Sequence, residues 1–213
     1  MNKFLATVAK IAQTAWLSFA FNVAYSIYYL IYGAITKSWW LLVLGVYQLI
    51  LSIVRFVTLT IKQKEKFVVR FTGSMLLALL VPLIGIVILA GMRDRGTKHH
   101  AIFMITIALY TFTQLTLATI NWIKSRKSTS CKVVALRYIS FANAFVSIFA
   151  LQRSMLVSFE GMTAENILLM NILTGSGVCI VVGWLAIRLI HNKRVSGSQL
   201  DDQKRAKVIP KDD

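Results

Sequence analysis

Acidic side chains are what this chain has least of: 8 Asp and Glu stand against 24 Lys and Arg in 213 residues. They are Glu65, Asp94, Glu160, Glu165, Asp201, Asp202, Asp212 and Asp213, and every one falls between or beyond the long apolar runs. A relay of paired carboxylates, or a cation site built on Asp or Glu at membrane depth, is therefore not expected. Only 2 prolines are present, so little interrupts a long helix. The 2 cysteines, Cys131 in a short basic gap and Cys179 inside an apolar run, lie at different depths. Free thiols are expected, with no disulfide framework and no metal site. Histidine occurs only at His99, His100 and His191, all at the ends of apolar runs. Ser176, in Thr-Gly-Ser-Gly, thus has no base at its depth; no catalytic residue, enzyme chemistry or cofactor is expected.

Charge is scarce overall, 15% against 57% hydrophobic residues at a mean hydropathy of +0.67. A soluble domain carries about 25% charge, so this chain cannot wet a globule's surface and belongs in a lipid bilayer. Six apolar stretches reach the length of roughly 20 residues that a helix needs to cross the hydrocarbon core. They lie near 12–35, 38–61, 71–92, 101–123, 133–157 and 166–190. The expected fold class is all-α: a polytopic membrane bundle of six transmembrane helices in one domain, 1–190, followed by a disordered basic tail, 191–213. Before the first span Phe4, Val8 and Ile11 share one helical side, as an interfacial lead-in would. Lys10 interrupts the apolar run too early for a cleaved signal sequence.

The basic residues fill the short gaps, which is a membrane-topology pattern rather than a groove for phosphates, so no nucleic acid is expected. With both termini inside, eighteen Lys and Arg face the cytoplasm, and only Lys37, Arg93, Arg95 and Lys98 face outward. That asymmetry selects an N-in, C-in orientation in a cell membrane.

Polar residues inside the spans carry the site reading, because at membrane depth each needs a partner or a cavity. At 100° per residue, the first helix aligns Ser18, Asn22, Tyr25, Ser26, Tyr29 and Gly33; the second aligns Gln48, Ser52 and Arg55. The fourth aligns Tyr110, Gln114 and Asn121, the fifth Ser140, Asn143, Ser147 and Ser154, and the sixth Asn171, Thr174 and Gly175. The third has almost nothing polar and is expected to face lipid. Gly175, Cys179 and Gly183 form a smooth packing strip, and Pro82 should kink its helix. Candidate ligand-binding residues are Arg55, Gln48, Ser52, Asn22, Tyr25, Tyr110, Gln114 and Asn143. Arg55, about 9 Å from its helix end, is near enough to snorkel, yet it shares a face with Gln48 and Ser52, which favours an inward position. Arg153 projects away from its helix's stripe and is expected at the outer headgroups.

The gap at 93–100 divides the spans into two sets of three, and an odd number per set makes an inverted repeat one available reading. Helices one and four both carry tyrosine in their polar stripes, and helices two and five share Ser-Ile at Ser52-Ile53 and Ser147-Ile148.

The run Gly33 to Phe56, with Ser38-Trp39-Trp40, Tyr47 and Ser52-Ile-Val-Arg55-Phe56, resembles a family of small six-helix integral membrane proteins of Gram-positive bacteria. The second half extends the resemblance through Tyr110-Thr111-Phe112, Asn121, Lys124, Ser147, Leu151-Gln152, Asn171 and Thr174-Gly175. It implies the architecture and a bacterial origin, but no chemistry, since no activity is assigned to that family. This chain departs from the family pattern at Gln114, where lysine is usual, and at Arg153, where a small polar residue is usual.

Two functional readings lead, and a third, an enzyme acting on lipid, is disfavoured because no catalytic constellation is apparent. One is a small transporter or channel-like protein whose polar cavity takes an anionic solute or a lipid headgroup. The other is a non-transporting accessory, immunity or lipid-binding protein whose stripes only hold the bundle together. Partners beyond the bilayer would be a second copy of the chain or another membrane subunit.

Overall fold

The computed structural model describes residues 2–60, 65–92, 101–125, 131–158 and 163–191. They form six helices: α1 Asn2–Ile35, α2 Trp39–Thr60, α3 Glu65–Met92, α4 Ala101–Ser125, α5 Cys131–Ser158 and α6 Ala164–Ile190. No strand occurs among the described residues. Only a helix satisfies every backbone N–H and C=O within one apolar segment, which is why the long apolar runs become helices. Five of them, α2 to α6, are long and apolar enough to cross a membrane. The chain is a multi-pass integral membrane protein with an all-α bundle. α1 has 34 residues, and its apolar part Phe19–Ile35 is fully described. The side chains of Phe4, Val8, Ile11, Ser18 and Cys131, and the tail beyond His191, lie outside the described residues. α3 continues helically through Pro82.

A tight turn joins α1 to α2. The Ser38 N–H reaches back to the Gly33 carbonyl at 3.0 Å and the Lys37 N–H to the Ala34 carbonyl at 3.3 Å, closing a Schellman motif. Lys37 takes the left-handed position at φ 52°, where glycine is usual. Gly33 is needed for a different reason. A Cβ there would stand 3.0 Å from both Leu41 Cβ and the Leu42 backbone nitrogen, so only glycine lets α1 and α2 approach this closely.

α1 packs on α2, α4 on α5, and α3 on α6; α2 and α5 run through the middle, touching each other, with α3 against both and α6 against α5. Of the five spanning helices α5 and α2 are the most buried and α6 the least. α3 presents one side outward, where Phe67, Val81, Ile84 and Ile88 are exposed, as its apolar composition led one to expect, but it has a packed side as well. Leu76, Leu79, Leu83 and Ile86 are buried among its neighbours, and Thr58 of α2 meets Thr72 of α3 hydroxyl to hydroxyl at 3.1 Å. Lipid tails are as apolar as leucine, so an apolar helix has no preference for the outside; close approach decides where it packs.

That approach is reciprocal between α3 and α6. A Cβ on Gly73 would meet Ile190 Cγ1 at 2.5 Å, and one on Gly175 would meet Val87 Cγ1 at 2.7 Å. Each helix thus offers a glycine from its first half to a branched side chain in the last half of the other. Gly73→Ala and Gly175→Ala should each cost about 1–3 kcal/mol through overpacking. Gly85→Ala and Gly177→Ala, where a Cβ would touch nothing within 4 Å, should be neutral or slightly stabilising. Thermal unfolding of the four variants in detergent checks the contrast.

Candidate functional site

The polar stripes converge. Asn22 of α1 accepts at Oδ1 from the Tyr110 hydroxyl at 3.1 Å and from Gln114 Nε2, both on α4. Gln114 Oε1 in turn accepts from Asn143 Nδ2 of α5 at 3.0 Å, and the same Nδ2 points to the Tyr110 hydroxyl at 3.5 Å. The amides therefore form a directed chain, Asn143 to Gln114 to Asn22, in which each orientation is set by the next. Behind it, the Tyr25 ring lies flat on Tyr110, centroids 3.4 Å apart, and the Tyr25 hydroxyl donates to Tyr29 at 3.3 Å. Thr111 Oγ1 ties α4 to the Ser147 carbonyl of α5 at 3.2 Å. Such bonds contribute about 0.6 kcal/mol each on average inside a membrane, so the chain joins three helices without making the bundle rigid by itself.

In front of the chain lies a cleft lined by Asn22, Gln48, Leu51, Ser52, Arg55, Ile139 and Asn143. Its space amounts to about 170 Å³, partly open, and no water-sized body fits there as the side chains stand. Five of the eight candidate residues, Arg55, Gln48, Ser52, Asn22 and Asn143, share this lining. Tyr110 and Gln114 stand behind it as hydrogen-bond partners, and Tyr25 is a further layer back, stacked on Tyr110. Ser52 is on the lining, but its hydroxyl proton is committed to the Gln48 carbonyl at 2.8 Å, leaving it only acceptor capacity.

Arg55 is 5% exposed and does not snorkel. Its Nε has no hydrogen-bond partner among the described residues, and neither has Asn143 Oδ1. No carboxylate lines the cleft.

No protein-family model, curated protein or solved structure matches the chain. The site therefore has to be read from its own chemistry. Among the described residues no group of three or more His, Cys, Asp or Glu is placed to hold a metal ion.

The second intramembrane arginine corrects its expectation. Arg153 stays outside the amide chain, yet it is 3% exposed rather than extended to the headgroups. Its Nη1 donates to the Ala90 carbonyl at 2.7 Å, near the C-terminal end of α3, and its guanidinium covers the Trp40 ring at 4.7 Å. The last carbonyls of a helix lack intrahelical partners and carry the negative end of its dipole, so the end of α3 offers a cation a fixed acceptor. Helical projection of α5 alone has no access to where α3 ends. Nor could it find Leu51 and Ile139 on the lining, since apolar residues carry no signal at membrane depth. The remaining stripe residues are buried but locally satisfied: Ser140, Ser147 and Ser154 each donate to the carbonyl four residues earlier. Asn121 is half-buried, and Asn171 is buried with Oδ1 unpartnered.

Proposed function

We propose that the protein is a small transporter of the bacterial cell membrane, its termini cytoplasmic, carrying an anionic solute or holding a lipid headgroup at Arg55. The observation that carries this reading is the buried guanidinium with an unpartnered Nε in a cleft of amides without a carboxylate. A charge at that depth needs an opposite charge, and the bundle's own residues in the cleft supply none.

Internal symmetry supports transport rather than simple binding. α2 and α5 both carry an amide followed four residues later by Ser-Ile: Gln48 with Ser52-Ile53, and Asn143 with Ser147-Ile148. In both, the serine hydroxyl bonds the amide residue's carbonyl at 2.8 Å, and both amides line the cleft. α1 and α4 carry Tyr25-Ser26 and Tyr110-Thr111, whose rings stack on each other. Add the reciprocal glycines of α3 and α6, and each helix of the first half has a counterpart in the second. We read the halves as an inverted repeat whose axis passes between Tyr25 and Tyr110 and between Gln48 and Asn143. The packing departs from this symmetry at one place, since α3 packs on α5 without an equally developed contact of α2 with α6. One of two exchangeable states would show that asymmetry.

The test is flux. Purified protein in liposomes should move a small oxyanion such as phosphate, sulfate or glycolate down its gradient, and the Arg55→Gln protein should not. If intact wild-type protein moves none of them, the accessory reading takes over. One observation already favours that second reading: the Asn22, Gln114, Asn143 and Tyr110 bonds are all internal to the bundle, as glue would be.

A further inference from the structure

We infer that the cleft is built for a small monoanionic oxyanion that carries its own hydroxyl, such as glycolate or hydrogencarbonate. The inference deepens the proposed function and rests on it. Two buried atoms on the lining lack partners, and they are of opposite kinds. Arg55 Nε is a donor without an acceptor; Asn143 Oδ1 is an acceptor without a donor. They could satisfy each other if they met, but they do not. Asn143 cannot turn alone, because its Nδ2 is bonded to Gln114 Oε1 and the Tyr110 hydroxyl, and Gln114 is bonded onward to Asn22. In this direction the amide chain presents Oδ1 outward as an acceptor, and only a concerted turn of all three amides would present Nδ2 instead.

A halide or a simple carboxylate would satisfy the guanidinium and leave Oδ1 desolvated and unpaired. A neutral alcohol would do the reverse. A guest with an anionic oxygen at one end and an O–H at the other fills both vacant positions. Arg55 is the cleft's single cationic residue, so one negative charge balances it. No water-sized body fits as the side chains stand, so the cleft has to open to take any guest. Gln48 and Ser52 add further polar groups on the same wall, Ser52 as an acceptor.

Glycolate and acetate differ by a single hydroxyl and have the same charge near neutral pH, which makes them the probe pair. With wild-type protein in detergent, titration calorimetry should find glycolate bound roughly ten- to a hundred-fold more tightly than acetate, the penalty for leaving a buried acceptor unpaired. Asn143→Ala should shrink that ratio towards one while acetate still binds. If that variant elutes as an aggregate, the wild-type ratio alone decides. Equal binding of the two acids overturns this inference and leaves the proposed function standing; binding of neither also overturns this inference, and the proposed function then falls only if phosphate and sulfate are not moved in the flux experiment either. A phosphatidylglycerol headgroup offers the same pairing of oxyanion and hydroxyl. Glycolate retained in phosphatidylglycerol nanodiscs identifies a free solute, and glycolate displaced there but bound in phosphatidylcholine nanodiscs identifies the headgroup.

Discussion

Arg55→Gln is expected to abolish binding of small oxyanions while the bundle stays folded. Arg55 is the cationic group on the cleft, and truncating one partner of a buried, hydrogen-bonded charge pair costs about 2–5 kcal/mol, a loss of roughly thirty- to several-thousand-fold in affinity. Without bound anion the same substitution removes a desolvated charge whose Nε has no partner. It should therefore leave the unliganded protein as stable as before or more so, because an unpaired buried charge is itself a cost. Arg55→Lys should fall between the two, since a point charge cannot reproduce the planar guanidinium fork. Calorimetry with glycolate, alongside thermal unfolding of the unliganded proteins, measures both effects. An Arg55→Gln protein that unfolds in detergent would show instead that the arginine holds helices together, and the transport reading would lose its main support.

The second large effect concerns access. If the halves exchange roles, every residue on the present cleft has a counterpart that lines the cleft in the alternative state. Aligning Gln48-Ser52 with Asn143-Ser147 pairs Leu51 with Val146. Leu51 lines the cleft now and Val146 does not, but both are buried, so labelling at either position requires the bundle to open. In a background with Cys131→Ser and Cys179→Ala, a membrane-impermeant maleimide should label Leu51→Cys from the cytoplasmic side and Val146→Cys from the opposite side. Minor states are commonly populated at about 0.1–10%, so Val146→Cys should react about ten- to a thousand-fold more slowly than an exposed thiol, but measurably. Labelling of Leu51→Cys with none at Val146→Cys from either side would describe a rigid, one-sided pocket. The side from which Leu51→Cys reacts also reports the orientation that the basic residues imply.

These two experiments bear on unequal parts of the reading. The six helices were already legible as runs of apolar residues separated by charge, because the bilayer imposes a length on each apolar helix. The polar faces of α1, α2, α4 and α5 were legible for a related reason. Asn22, Gln48, Gln114 and Asn143 are too costly to leave facing lipid, so helical periodicity points them at one another, and all four are buried.

Neighbour relations were not in the sequence. Position α3 has between α2, α5 and α6 depended on Gly73 and Gly175 meeting Ile190 and Val87, which no hydropathy pattern reports. Arg153 found the end of α3 rather than the headgroups because a carbonyl near Ala90 came within reach only once α3 and α5 had packed. Tyr25 of α1 stacks on Tyr110 of α4 behind the cleft and does not line it, a pairing of rings from two helices that projection of α1 alone does not report. Apolar helices of membrane-crossing length, and the side chains that must be hidden from lipid, follow from composition and periodicity. Which of those side chains satisfy one another and which, at Arg55 Nε and Asn143 Oδ1, are left facing a cleft follows from how the helices pack. Periodicity fixes the direction of a side chain about its own helix axis, whereas hydrogen-bond satisfaction depends on the distance between helices.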